Sequence, residues 1–167
     1  MKRNFTITLC LLFALATKAQ LILPTFVDSV LTTDNKYLKV DVYKPVACTG
    51  QCPTILIQTP YNKNGFKLAG LPLGVKYNIN SSNYIFVIMD WRGRFSNTAA
   101  AYAGNPSMGK DGKDVVQWIA AQSWSDGKVG TWGPSALGKV QFATAKENPA
   151  NLTCICPLVA APQYEYQ

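Results

Sequence analysis

The most constraining feature of this sequence is a strand-like run that passes directly into a helical one through a glycine-rich turn. The stretch KVGTWGPSALG at residues 128–138 places Gly133 and Gly138 on either side of Ser135. A strand, a sharp turn with a central serine and a helix form the context of a nucleophile elbow. Glycine at 133 removes a Cβ that would collide in such a turn, and glycine at 138 lets the helix pass close to the strand. The sequence therefore predicts that Ser135 is exposed above the end of a strand.

The spacing of this motif, GxSxxG, is weak evidence by itself, because glycine and serine are frequent in turns of every kind. An ordinary turn in which Ser135 caps the following helix accounts for the pattern equally well. The two interpretations differ in the role of the hydroxyl, which bonds to the helix in a cap and is free in a nucleophile. In either case, the start of a helix places backbone N–H groups and a positive dipole end nearby.

Short apolar runs alternate with helical segments along the rest of the chain. Strands are predicted at residues 37–43, 54–58, 84–89, 128–132 and 152–159. Helices are predicted at 111–122, where apolar residues recur at helical spacing, and at 135–146, which ends before Asn148 and Pro149. The middle strands are almost continuously apolar, which is typical of a parallel sheet covered on both faces. The order of the elements predicts an α/β fold, a mostly parallel sheet with flanking helices.

The first residues have the pattern of a secretory signal peptide. Basic residues precede an apolar run at residues 5–16, and a small-x-small sequence ends at Ala19. A membrane anchor is the alternative, but the run is shorter than the roughly 20 apolar residues that a spanning helix needs. We therefore expect cleavage after Ala19 and a secreted or periplasmic protein. Residues 1–19 are the leader, and residues 20–167 carry the fold.

Loss of the leader also removes much of the positive charge. The sixteen lysine and arginine residues fall to thirteen against nine acidic residues, so the formal net charge falls from +7 to +4. No basic cluster with interleaved aromatic residues remains, which gives no support to nucleic-acid binding. No later segment is apolar for long enough to cross a bilayer. We therefore expect neither a nucleic acid nor a membrane as a partner of the mature chain.

Four cysteines follow the leader, in two close pairs. In an oxidising compartment we predict a disulfide between Cys48 and Cys52. Zinc binding is the alternative, and it is disfavoured because the chain contains no histidine and the two pairs lie about a hundred residues apart. Cys154 and Cys156 lie in an apolar strand in which both side chains share one face. We predict that these two are buried free thiols.

Several sequence blocks, taken in order, resemble the hydrolase family that contains X-prolyl dipeptidyl peptidases and cocaine esterase. The blocks are DVYKP at 41–45, QTPYNK at 58–63, MDWRGRFSN at 89–97, DGKDVVQWIAAQSWSDGKVGTWGPSALG at 111–138 and CPLVAAPQ at 156–163. Each block alone is weak evidence for the family, but the order of the blocks is specific to it. Together they cover nearly all of the chain after the leader. The resemblance implies an α/β-hydrolase fold, a small peptide or ester substrate, and no metal or organic cofactor.

The resemblance also implies roles for individual residues. Ser135 matches the nucleophile of the family, and the backbone N–H of Ala136 matches one donor of the oxyanion hole. Tyr61, in the TPYNK block, matches the tyrosine whose hydroxyl is the second donor; without the resemblance it is more simply a turn residue after Pro60. Donors of this kind each lower the barrier by roughly 3–4 kcal/mol. The sequence departs from the family at Ala136, where a bulky residue is common, and at Phe95, where a small one is.

Other residues of the matching blocks are interpreted as framework. We expect Asp90 and Arg92 to shape a loop above the sheet through a charge-assisted pair. Asp111 is expected to cap the helix that follows it, and Trp118 and Trp124 to pack against the core.

The sequence contains no histidine. A nucleophilic serine needs an adjacent base, which in this fold is a histidine that follows the nucleophile in the chain. We therefore expect residues 20–167 to be the N-terminal part of a catalytic domain, incomplete at its C-terminus and inactive alone. One alternative is a non-catalytic secreted binding module with the same fold. A lysine base such as Lys63 or Lys139 is another, although no spacing supports it.

Overall fold

Six strands form one mixed sheet in the computed structural model, which describes residues 21–69, 79, 82–101 and 107–162. The strands are β1 (Phe26–Leu31), β2 (Tyr37–Tyr43), β3 (Cys52–Thr59), β4 (Ile85–Asp90), β5 (Ser125–Pro134) and β6 (Leu152–Leu158). Their order across the sheet is β1-β2-β4-β3-β5-β6. The pairs β4–β3, β3–β5 and β5–β6 are parallel. The pairs β1–β2 and β2–β4, on one side of the sheet, are antiparallel. The prediction of a mostly parallel α/β sheet is confirmed; the predicted leader lies outside the described residues.

The helices are α1 (Gly65–Ala69), α2 (Met108–Ala120) and α3 (Ala136–Lys146), with a 3₁₀-helical segment at Phe95–Ala100. The Ser107 hydroxyl caps α2 by accepting a hydrogen bond of 3.2 Å from the N–H of Lys110. The prediction that Asp111 is the cap is wrong, because the helix begins earlier and the Asp111 carboxylate bonds to Arg92. None of the described helices is both long and apolar enough to span a membrane.

The strand predictions agree with the structure except at the edge of the sheet. The predicted bounds of β2 are those observed, and β5 extends the predicted segment at both ends. The sequence analysis does not predict β1, because Val30 is its only buried residue and the strand shows no apolar alternation.

Both faces of the central sheet are covered by apolar side chains. On one face, Val115 and Ile119 of α2 belong to a cluster with Leu56 of β3 and other buried strand residues. On the other face, Phe66 of α1 belongs to a second cluster that includes Phe86 of β4. All six residues of β4 are buried, which explains why its sequence is continuously apolar.

The tryptophan side chains pack as the sequence predicts. Trp118 and Trp124 meet edge to face with their ring centroids 6.0 Å apart, and both pack against the first of these clusters. Phe26 of β1 extends this contact, with its ring centroid 6.4 Å from that of Trp124.

The two cysteine pairs have different surroundings. Cys48 and Cys52 form a disulfide that closes the loop before β3. Cys154 and Cys156 are free but exposed, so the prediction that they are buried is wrong. The physical reason is that β6 is the last strand of the described sheet, where the two cysteines lie outside the second cluster, which covers the rest of that face.

Two glycines allow α2 and α3 to approach closely. A Cβ added at Gly109 would lie 2.4 Å from the carbonyl oxygen of Ala143, and one added at Gly112 would lie 2.0 Å from the hydroxyl oxygen of Thr144. Both distances are far below van der Waals contact. The glycines therefore let α2 hold α3, and with it the turn before α3, against the sheet.

We expect Gly109→Ala to lower the free energy of unfolding by about 1–3 kcal/mol, because the new methyl group collides with backbone atoms. The sign is informative, since alanine is otherwise favoured over glycine within a helix by roughly 1 kcal/mol. Urea unfolding measures the change. Gly65→Ala in α1 is the matched control, because nothing lies within 4 Å of the added Cβ. A Gly109→Ala variant as stable as this control would contradict the close approach of the helices.

Candidate active site

Ser135 lies in the turn between β5 and α3, in a backbone conformation that L-residues seldom adopt. Its φ is 52° and its ψ is −117°, and its side chain makes no capping hydrogen bond to α3. The N–H of Ser135 donates to the carbonyl of Leu158 at 2.9 Å, and the Ser135 carbonyl accepts from Gly138 and Lys139. The residue is exposed. A helix-capping serine has extended backbone and a bonded hydroxyl, so this geometry excludes that interpretation.

The turn requires both of its glycines. Gly133 has a φ of 149°, and a Cβ there would lie 2.4 Å from the Cβ of Leu137. A Cβ at Gly138 would lie 2.7 Å from the Cβ of Ala160 and 3.0 Å from the Gly133 carbonyl oxygen. At Gly133 and Gly138 the backbone therefore lies closer to neighbouring atoms than a residue with a Cβ would allow. This is the arrangement that the glycine pattern predicts.

Ala136 is the first residue of α3, so its N–H is one of the helix N-terminal donors that have no acceptor within the helix. None of the backbone hydrogen bonds found for turns and caps in the described residues uses this N–H. Its small side chain is buried with Trp91 and Val140. A backbone donor and the positive end of the helix dipole therefore lie beside the Ser135 hydroxyl, where they can stabilise negative charge.

Tyr61 lies in the turn that follows β3, and 64% of its surface is exposed. Strands β3 and β5 are parallel neighbours in which Leu56 is opposite Thr131. Tyr61 and Ser135 therefore both lie just beyond the carboxyl ends of adjacent strands, whose axes are about 4.8 Å apart in any sheet. The sheet therefore brings these two residues to the same edge, the one formed by the carboxyl ends of its parallel strands.

Asp90, at the end of β4, connects two loops at this edge. One carboxylate oxygen accepts a hydrogen bond of 2.7 Å from the N–H of Lys63. The other accepts from the hydroxyl of Ser96 at 2.7 Å and from its N–H at 3.2 Å. The carboxylate thus joins the turn after β3 to the loop after β4, although not through the pair with Arg92 that the sequence suggests.

Arg92 holds a different set of elements together. Its buried guanidinium donates to Asp111 from Nε at 3.0 and 3.1 Å and from Nη2 at 2.5 Å, and to Asp34 from Nη1 at 2.7 Å. Burial tends to lower the pKa of Arg92, but the hydrogen bonds to Asp111 and Asp34 outweigh it and raise the pKa above its usual value. The hydrogen bond from Arg92 in turn lowers the pKa of Asp34. Arg92 is therefore a charged framework residue that links the β1–β2 turn to α2.

Comparison with known proteins gives a consistent result. Residues 34–166 match the family model described as X-Pro dipeptidyl-peptidase (S15 family). Cocaine esterase from Rhodococcus sp. (strain MB1 Bresler) is 31% identical over 128 residues, which are 77% of this chain and 22% of the esterase.

Solved structures have the same fold. A CocE/NonD family hydrolase from Staphylococcus aureus superposes with a TM-score of 0.63 at 24% identity, over 77% of this chain and 26% of that one. An α-amino acid ester hydrolase superposes with a TM-score of 0.64 at 18% identity, over 93% of this chain and 29% of that one. The chain thus spans about a quarter of the length of these relatives.

The family match extends across the turn of Ser135, the turn of Tyr61 and both loops that Asp90 joins. These features all lie at one edge of a sheet that is shared with structures of α/β-hydrolase type. The chain therefore belongs to the X-Pro dipeptidyl-peptidase (S15) family of hydrolases.

Proposed function

We propose that the chain supplies the nucleophile and the oxyanion hole of a serine hydrolase. The Ser135 oxygen attacks the carbonyl carbon of a peptide or ester, the amine or alcohol leaves with a proton, and water then hydrolyses the acyl-enzyme. The N–H of Ala136 and the hydroxyl of Tyr61 stabilise the tetrahedral oxyanion. The observation that carries the proposal is the exposed, uncapped Ser135 with positive φ at the start of α3.

The general base of this mechanism comes from outside the 167 residues, which contain no histidine. Lys63 does not replace it, because its ammonium group is buried in an ion pair with Asp41. The exposed Cys154 and Cys156 lie on β6, the last strand of the described sheet, outside the second cluster, which covers the rest of this face. The matched residues make up only about a quarter of the length of the relatives. We infer that a following segment of a longer enzyme supplies the histidine and its acid, and we call that enzyme the full-length protein.

We also propose that this enzyme is exported and that its leader is removed after Ala19. The apolar run at residues 5–16 supports the proposal, since it has the length and flanks of a signal peptide. The disulfide between Cys48 and Cys52 supports it as well, because such bonds persist in oxidising compartments.

Treatment with a fluorophosphonate, followed by mass spectrometry of tryptic peptides, tests the nucleophile. We expect an adduct on Ser135 in the full-length protein and none in residues 20–167 alone, because the base is missing there. The same spectra report the N-terminus of the exported protein, which we expect at Gln20. An active full-length protein labelled at another residue would refute the assignment. A full-length protein that binds peptides without labelling or turnover would favour the binding module.

The chemical class of the substrate is settled by comparing two leaving groups. An Ala-Pro anilide requires recognition of a free amine and release of an aniline, whereas a short acyl ester requires neither. The ratio of kcat/KM for these two substrates on the full-length protein therefore separates a dipeptidyl peptidase from an esterase.

A further inference from the structure

A buried ion pair lies beneath the turn that carries Tyr61. The ammonium of Lys63, a residue only 5% exposed, bonds to the carboxylate of Asp41, which is fully buried on β2. The ammonium of Lys67 in α1 lies 3.4 Å from the other oxygen of the same carboxylate. In the order β2-β4-β3, β2 is two places away from the strand that precedes the turn. The side chain of Lys63 therefore links the turn to a distant part of the sheet.

The main chain of Lys63 is anchored as well. Its N–H donates to Asp90 at 2.7 Å, from the end of β4. Next to it, Asn62 has a left-handed φ of 73°, and its side-chain oxygen accepts from the N–H of Asn64 at 3.1 Å. The N–H of Gly65 closes the turn by donating to the Asn62 carbonyl at 2.9 Å. The turn between β3 and α1 is thus fixed at one residue by both backbone and side chain.

The side chain of Tyr61 has fewer contacts in the described structure than that of Lys63. It is largely exposed, and the hydrogen bond of this residue in the described structure is a backbone contact to the hydroxyl of Thr59 at 3.1 Å. An oxyanion donor contributes only when it is preorganised, and a misplacement of about 1 Å can cost about 10²-fold in rate. The position of the Tyr61 hydroxyl therefore depends on the rigidity of its turn.

Stability alone does not account for the buried pair. The loss of hydration of two buried charges offsets most of their attraction, and well-packed apolar residues of similar volume are often as stable. Lys63, however, joins the turn after β3 to the interior of β2 through Asp41 and to the end of β4 through Asp90. Such directional bonds fix a geometry that apolar contacts would leave adjustable.

We propose that Lys63, held by Asp41 and Asp90, is a positioning residue that sets the place of the Tyr61 hydroxyl. This inference rests on the proposed function of Tyr61 in the oxyanion hole. It assigns no proton transfer to Lys63, whose side chain is held in the ion pair with Asp41.

The test removes both buried charges of the pair at once, by combining Lys63→Met with Asp41→Leu in the full-length protein. The remaining ammonium, on Lys67, belongs to a side chain that is 24% exposed. We expect kcat to fall about tenfold with KM within about twofold, because the oxyanion exists only in the transition state. Tyr61→Phe is expected to lower kcat by about 10²-fold, and loss of the pair should then have no further effect. A similar loss in both backgrounds, or an unchanged kcat, would overturn the proposal.

A spectroscopic readout keeps the two proposals separate. We expect 3-fluorotyrosine at position 61 to give one ¹⁹F resonance shifted from its unfolded value, and the double variant to shift toward that value or split. An unchanged spectrum overturns the positioning role, whether or not the protein is active. Absence of activity in the unmodified enzyme would instead refute the proposed function. Lys67→Met, which removes the more exposed partner of the same carboxylate, is the matched control and should leave kcat unchanged.

Discussion

Ser135→Ala is expected to lower kcat of the full-length protein by about 10⁴-fold or more, because the variant keeps the oxyanion donors but has no nucleophile. Alanine retains the Cβ of serine, so we expect the free energy of unfolding to change by less than about 0.5 kcal/mol. Initial rates with an activated ester and urea unfolding measure the two effects. Ser123→Ala, at an exposed serine before β5, is the control and should keep full activity. A Ser135→Ala variant that retains a tenth of the activity would exclude Ser135 as the nucleophile.

The backbone at Ser135 adds a second expectation to the same experiment. A non-glycine residue at φ 52° and ψ −117° carries strain of roughly 1–3 kcal/mol. Glycine relieves that strain, so Ser135→Gly should be as inactive as Ser135→Ala but more stable by about 1 kcal/mol. Equal stability of the two variants would show that the turn is not strained at this residue.

The turn of Ser135 could be predicted from the sequence because its requirements are local. Gly133 is needed against Leu137, four residues away, and Gly138 against the Gly133 carbonyl, so most of the constraint lies within one short segment. Tyr61 has no such local signal. Its place at the same edge follows from the pairing of β3 with β5, and only the family resemblance indicated its role.

The wrong predictions concern residues whose surroundings are set by distant segments. Cys154 and Cys156 lie in an apolar run, but the sequence does not say that β6 is the last strand of the described sheet. Asp111 has the residue type of a helix cap, yet its carboxylate bonds to Arg92. The partnership of Lys63 with Asp41 was missed for the same reason, although the DVYKP and QTPYNK blocks contain both residues. In each case, contacts with residues that are distant in the sequence set the burial or the bonding partner of the side chain.

Arg92 shows how strongly contacts between residues distant in the sequence can affect burial and pKa. Its side chain is 2% exposed, and its partner Asp111 is 4% exposed, whereas Asp34 is 56% exposed. The hydrogen bond from Arg92 lowers the pKa of Asp34, so the contribution of Asp34 is complete at neutral pH and is lost as the pH falls below its ordinary value of 3.8. At pH 7 the Asp34 carboxylate is therefore charged, and the buried Asp111 carboxylate pairs with the guanidinium out of reach of water.

Asp111→Ala is accordingly expected to lower the free energy of unfolding at pH 7 by about 3–5 kcal/mol, because it leaves the buried guanidinium without its closest carboxylate. Urea unfolding at fixed pH measures the loss. Asp126→Ala is the matched control: its ion pair with Lys128 spans 3.7 Å, and the Lys128 side chain is 69% exposed. We expect that change to cost under about 1 kcal/mol.

The combination of Arg92→Met with Asp111→Leu separates the cost of an unpaired charge from the value of the pair. Because both charges are then removed, we expect most of the stability lost in Asp111→Ala to return. If the double variant is instead as unstable as Asp111→Ala, the hydrogen bonds of Arg92 to the β1–β2 turn are themselves what stabilises this region. In that event the directed hydrogen bonds of the guanidinium hold the loop after β4 in place, and its charge contributes less to the free energy of unfolding.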